Sequence, residues 1–143
     1  MNDIAIINTL FENLYQEFKT EVTAEKVELF NAKVFKGPPA TAILPHYQIV
    51  LRNTSMTDET LNKIERKWNL LIEVEVYAQD LANANRDVVA NKLQEKAIDF
   101  YFGKYGFNNI WNEPIPNSDK GIQRILIRFT AQYDIDTGVI SRY

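Results

Sequence analysis

Few residues of this chain are of a type and spacing that could do chemistry. There is one histidine, His46, between Pro45 and Tyr47, and there is no cysteine. Any Ser-His-Asp arrangement therefore depends on His46 alone, and disulfides, thiolate nucleophiles and thiolate metal sites are ruled out. No serine or carboxylate stands beside His46 in sequence. The local pattern favours a histidine at the start of a strand over a general base, with partners distant in sequence left open. Glu73 and Glu75 stand two apart, on one face of an alternating run. Such a pair can hold a hard cation or share acid–base work. No third cluster of oxygen ligands accompanies it, so a solvated strand face is the expectation. Arg124 and Arg128 flank Leu126 on one face of a later run. They could clamp a phosphate, or pair with Glu73 and Glu75 across neighbouring strands, where facing opposite charges contribute a few tenths of a kcal/mol up to ~1 kcal/mol. Pairing, within the subunit or across an interface, is the expected arrangement. Gly103-Lys104-Tyr105-Gly106 has the composition of a phosphate loop, but it follows a helical pattern instead of opening one and reads as a helix C-terminus. No catalytic, cofactor-binding or metal-binding residue is assigned, and no cofactor is expected.

Composition supports a soluble globular domain and supplies no catalytic chemistry. The chain has 143 residues, 45% hydrophobic and 24% charged, which is the balance of a single globular domain spanning residues 1–143. The net charge is −3 and both signs are spread along the sequence. No segment is basic enough for the footprint that drives nucleic-acid affinity, so specific nucleic-acid binding is not expected. The stretch without charged residues over 37–51 contains three prolines and is too short to span a bilayer. The opening Met1-Asn2-Asp3 brings no basic n-region and no small-residue cleavage site follows, so no signal peptide is expected. Neither a membrane partner nor a membrane span is expected.

The elements that must position these residues follow from periodicity. Over 4–22, Ile4, Ile7, Leu10, Phe11, Leu14, Tyr15, Phe18 and Val22 fall on one helical arc. Residues 26–36 are ambiguous between a short strand and a twisted connection. A strand over 44–52 precedes a polar loop over 53–62, in which Leu61, Ile64 and Trp68 permit a short helix. Leu70, Ile72, Val74 and Val76 alternate with Leu71, Glu73, Glu75 and Tyr77, one face apolar and the other mostly polar, as in a strand covered on one side. A second helix is read over 85–103, then a strand over 107–112 broken by Pro114 and Pro116. The last strand, 122–135, is the strongest alternating signal and is expected beside the strand at 70–77. Both tryptophans, Trp68 and Trp111, are read as core residues. The expected fold class is α+β, a small, mostly antiparallel sheet covered on one face by two long helices.

The segment Leu44-Pro45-His46-Tyr47-Gln48-Ile49-Val50, the run Trp68–Tyr77, the helix at 85–103, Tyr105-Gly106-Phe107, Pro114-Ile115-Pro116 and Ile125–Tyr133 with its two arginines together resemble tail terminator proteins of long-tailed bacteriophages. These are also called tail completion or head–tail joining proteins. The resemblance covers nearly the whole chain and lies in the order of elements, since the family has no catalytic motif to match. It implies a tail-terminator-like fold and a ring of identical subunits, commonly a hexamer. It implies a virion protein at the head–tail junction, assembled in the host cytoplasm. Such a ring caps the last tail-tube ring, stops tube growth and presents the surface that docks to the head connector or head-closure protein. A head-side neck protein, either a head-closure protein or a connector adaptor, is the alternative, and an enzyme is the weakest of the three readings. Rings need heterologous interfaces, one patch meeting a different patch on the neighbour. The contact elements expected are the loop at 53–62 with Met56, the rim at 113–120 with Pro114 and Pro116, the C-terminal tail with Tyr143, and the charged set Glu73, Glu75, Arg124 and Arg128.

Overall fold

The two longest alternating runs of the sequence form the middle of one sheet. A computed structural model describes residues 3–41, 43–56, 66–116 and 121–142. Strand β3 (Lys67–Gln79) pairs antiparallel with β5 (Ile122–Asp134) over their whole lengths, from Lys67 opposite Asp134 to Gln79 opposite Ile122. On its other edge β3 pairs antiparallel with β2 (His46–Met56). Outside β2 lies β1 (Lys33–Lys36), which runs parallel to it. Outside β5 lie β4 (Asn108–Ile115) and the two-residue β6 (Ile140–Ser141), both antiparallel to β5. The resulting order is β1-β2-β3-β5-β4, with β6 attached to β5.

Alternation along the strands sorts side chains onto two faces. Trp68, Leu70, Ile72, Val74, Val76 and Ala78 of β3 point to the core, beside Tyr47 and Ile49 of β2 and Ile125, Ile127, Phe129 and Ala131 of β5. Helix α1 (Asp3–Ala24) closes this core with Ile7, Leu14, Tyr15, Phe18 and Val22, residues that recur at helical spacing. Phe18 is its centre: its ring lies 4.9 Å from Tyr47, 5.1 Å from Phe100 and 5.7 Å from Tyr101. Helix α2 (Arg86–Ile98) starts at Asn85, whose side chain accepts from the Val88 N–H, and it buries Val89, Ala90, Leu93 and Ala97. Asp99–Lys104 continue as a π-helical turn. Its exit is fixed by Gly106 at φ 78° and by the Phe107 N–H donating to the Tyr101 carbonyl at 2.9 Å. That is the left-handed C-terminal glycine expected for the Gly103–Gly106 segment.

The expected sheet-and-two-helix layering is corrected by the structure. The sheet dominates, is curled and is mixed, because β1 is parallel to β2 while the other pairings are antiparallel. The helices do not form two long covers: α2 has 13 residues before the winding changes. The apolar residues over 85–103 are shared between an α-helical and a π-helical segment, so one periodicity overstates one helix. The strands also extend further than their alternation suggests. The polar Asn53-Thr54-Ser55 belong to β2, which reaches Met56, so part of the expected loop at 53–62 is strand. Residues 57–65, including the short helix envisaged through Leu61 and Ile64, lie outside the described residues. Pro114 does not break β4 but sits within it opposite Ile125, as an outermost strand tolerates because one side needs no donor. The ambiguous 26–36 stretch resolves into turns followed by β1, and the expected pairing of the 70–77 and 122–135 strands is found.

Candidate functional site

The face of the sheet turned away from the helices carries the charged residues that the sequence singles out. Glu73 stands directly opposite Arg128 on β5. Its Oε2 accepts from Arg128 Nε at 2.7 Å and its Oε1 accepts from Arg52 Nε at 2.6 Å. Arg52 is the extra residue of a β-bulge, since Leu51 faces Ile72 and Asn53 faces Leu71. The bulge inverts the parity of the strand after it and places Met56 opposite Trp68, at the end of β2, where Met56 is exposed. One turn of the ladder away, Glu75 Oε2 accepts from Arg124 Nε at 2.9 Å and from the Tyr77 hydroxyl at 2.7 Å. Arg124 also lies over the Tyr77 ring, 5.3 Å from its centroid. The curl of the sheet leaves a concavity of about 230 Å³ here, floored by Val50, Glu73, Glu75 and Tyr77 and rimmed by Pro38.

Burial makes this ladder different from the solvated face expected for Glu73 and Glu75. Glu73 is 7% exposed. Burial alone pushes its carboxyl up, but the hydrogen bonds from Arg128 and Arg52 outweigh it and hold the carboxyl below its ordinary range. Tyr77 is pushed up to about 12, by burial first and then by its bond to the Glu75 carboxylate. The expected cross-strand pairing of glutamates with arginines is thus present within one subunit. The pairs are shared and diagonal: Arg124 faces Tyr77 in register and reaches Glu75 obliquely. Three guanidiniums surround two carboxylates, both oxygens of Glu73 are bonded, and the charge-assisted bonds fix the arginine planes.

His46 belongs to the same neighbourhood. It is the first residue of β2 and is 2% exposed. Its Nδ1 lies 2.8 Å from the Ile43 carbonyl and its Nε2 lies 3.1 Å from Gln48 Nε2. A neutral ring that donates from Nδ1 and accepts at Nε2 satisfies both contacts. The ring stacks on Tyr77 at 4.7 Å and meets the Phe35 ring edge-on at 5.4 Å. Burial lowers its proton affinity, against a weaker opposing effect of the Ile43 carbonyl and Glu75. The strand-start reading of this residue matches its position.

Beyond Arg128 the ladder ends on an aromatic. Trp111 of β4 is opposite Arg128, and the guanidinium lies 4.3 Å from the centre of the Trp111 ring system. Trp111 is 38% exposed and its neighbour Ile110 is 49% exposed. Trp111 is therefore not the core residue expected. Trp68 is: it is buried on the helix side, with Nε1 donating to Asp3 Oδ2 at 3.1 Å. Pro114 and Pro116 are exposed along and just beyond the outer strand. The structure thus gathers Glu73, Glu75, Arg124 and Arg128 with Trp111 nearby, whereas Met56 is at the other end of the core side and Tyr143 lies outside the described residues.

The alternation in the sequence already puts Tyr77 on the face of the glutamates, but it does not single out Arg52 or Trp111 as members of this surface. The parity of β2 could have found Arg52, which shares a face with the glutamates once the register is fixed. Among the described residues no group of three or more carboxylates or histidines is placed to hold a metal ion. Among the described residues no helix is long and apolar enough to cross a membrane. No protein-family model matches this chain, and no match was found among curated proteins.

Proposed function

We propose that this chain is a structural assembly subunit of a long-tailed bacteriophage, a tail terminator that forms a ring, caps the tail tube and offers the docking face for the head. The observation that carries the reading is the Ile110–Trp111 pair on the outermost strand, with Trp111 seated on Arg128. Tryptophan and arginine dominate binding energy where a surface becomes buried against a partner. Here both are held in place before binding, because Arg128 is tied to Glu73 and β4 is tied to β5. Preorganisation of that kind lowers the ordering cost of association. The order of sequence segments that resembles the terminator family supplies the choice of partners: copies of itself, the tail tube protein and a head connector or head-closure protein.

A terminator works by binding the growing end of the tube better than the next tube subunit does, a difference of affinities and not a chemical step. Deleting the gene should therefore give tails that overshoot their normal length, together with filled heads lacking tails. Tails of normal, uniform length in the lysate would reject this reading and favour a head-side neck protein.

A further inference from the structure

The geometry points to a second binding surface, a basic cleft along the outer edge of β1 that takes an extended acidic peptide segment as an added strand beside Lys36. The cleft lies between α1 and β1 and encloses about 500 Å³. Lys19, Lys26, Lys33 and Lys36 line it, and no carboxylate does. Lys36 is paired with Glu12 at 2.5 Å. Among the described residues, Lys19, Lys26 and Lys33 make no ion pair with a carboxylate, and all three are exposed. In a chain of net charge −3, whose other described basic residues largely pair, this is a local excess of positive charge. Such an excess favours a negatively charged partner and speeds its encounter.

The backbone specifies what kind of anion fits. The Lys33 N–H donates to the Pro45 carbonyl at 3.2 Å and the Gly37 N–H to the Ile49 carbonyl at 3.2 Å, so residues 33, 35 and 37 face β2. Val34 and Lys36 therefore turn their backbone groups outward, toward the cleft. The Tyr15 hydroxyl, reaching across from α1, donates to the Val34 carbonyl at 3.0 Å, and the remaining outward groups include both donors and an acceptor. A peptide strand can match donors and acceptors alike, whereas a phosphate backbone offers acceptors only and would leave the Lys36 carbonyl unmatched. The Tyr15 ring and Pro38 and Pro39 supply apolar wall between the lysines, which suits a partner alternating acidic and apolar side chains. This surface is separate from the Trp111 edge, at the opposite end of the sheet, and does not depend on the tail-capping reading.

The test is fluorescence anisotropy on the full chain with a fluorescein-labelled eight-residue peptide alternating glutamate and valine. Saturable binding that weakens with salt is expected. Replacing Lys19, Lys26 and Lys33 together by glutamine should weaken it at least about tenfold without changing the melting temperature, while Lys92→Gln, on the exposed side of α2, keeps wild-type affinity. The same peptide methylated on alternate amide nitrogens should fail to bind. No binding of the glutamate–valine peptide would overturn the proposal and leave the lysines as guards of a strand edge. Equal binding by the triple variant, equal binding of the methylated peptide, or preference for an oligonucleotide of the same charge would each overturn it as well.

Discussion

The Arg128 guanidinium lies 4.3 Å from the Trp111 ring centre while its Nε donates to the buried carboxylate of Glu73 at 2.7 Å. One side chain thus links the interior of the charged ladder to an exposed aromatic on the outermost strand. A lysine could not do both, since it lacks the planar fork that meets a carboxylate on its edge and an indole on its face.

Removing that aromatic should separate association from stability. Trp111→Ala deletes an exposed ring and a cation–π contact, so unfolding free energy should fall by no more than about 1 kcal/mol. Self-association, read by sedimentation velocity over a concentration series, should weaken by much more. A large loss of stability with unchanged association would show that Trp111 serves the fold and not an interface.

The core makes the opposite demand. Phe129 is fully buried, and its ring lies 5.0 Å from that of Tyr101. Phe129→Ala should cost about 3–5 kcal/mol, the lost transfer energy plus the cavity left behind. An unchanged urea midpoint would contradict the core described for the β3–β5 pair.

Tyr101 offers a gain. Its hydroxyl is buried and has no hydrogen-bond partner among the described residues. Tyr101→Phe removes a polar atom that folding desolvates without return, so the variant should be as stable as the wild type or more stable by about 1 kcal/mol. A clear destabilisation would mean that the hydroxyl is satisfied.

His46 gives the chain a pH dependence near neutrality. Burial holds its folded pKa below the ordinary 6.5, so the unfolded chain takes up a proton first as pH falls. Stability is therefore full above about pH 6.5 and declines below it until the folded ring also protonates. Glu73, whose folded pKa lies below the ordinary 4.5, contributes stability that is lost only at more acid pH. Urea midpoints at pH 7.5 and pH 5.5 should differ in the wild type and converge in His46→Gln. Equal pH dependence in the two proteins would refute this assignment.

Much of this arrangement was legible in the sequence because strand parity is strict. Alternation and the opposite charges of Glu73 and Arg128 together place these residues on facing strands, and the run from Leu70 to Val76 names its buried face. What parity cannot reveal is the bulge at Arg52, because one inserted residue reverses every later position without changing the composition. The π-helical turn after Ile98 was hidden for a related reason: it keeps Phe100 and Tyr101 buried while ending the α-helical winding. Pro114 misled because a proline forbids a central strand but not an outermost one, and strand order is a long-range property. Residue type favours the core for Trp111, yet its side of β4 faces the open, charged surface.

The central claim, that this chain acts as a ring on the end of a tail tube, is tested most directly by electron microscopy of purified tails carrying an epitope-tagged copy labelled with gold-conjugated antibody. A terminator ring gives label at the head-proximal end of every tail and a stoichiometry of several copies per tail, lost in Trp111→Ala. Label confined to heads, or a single copy per tail, would contradict it.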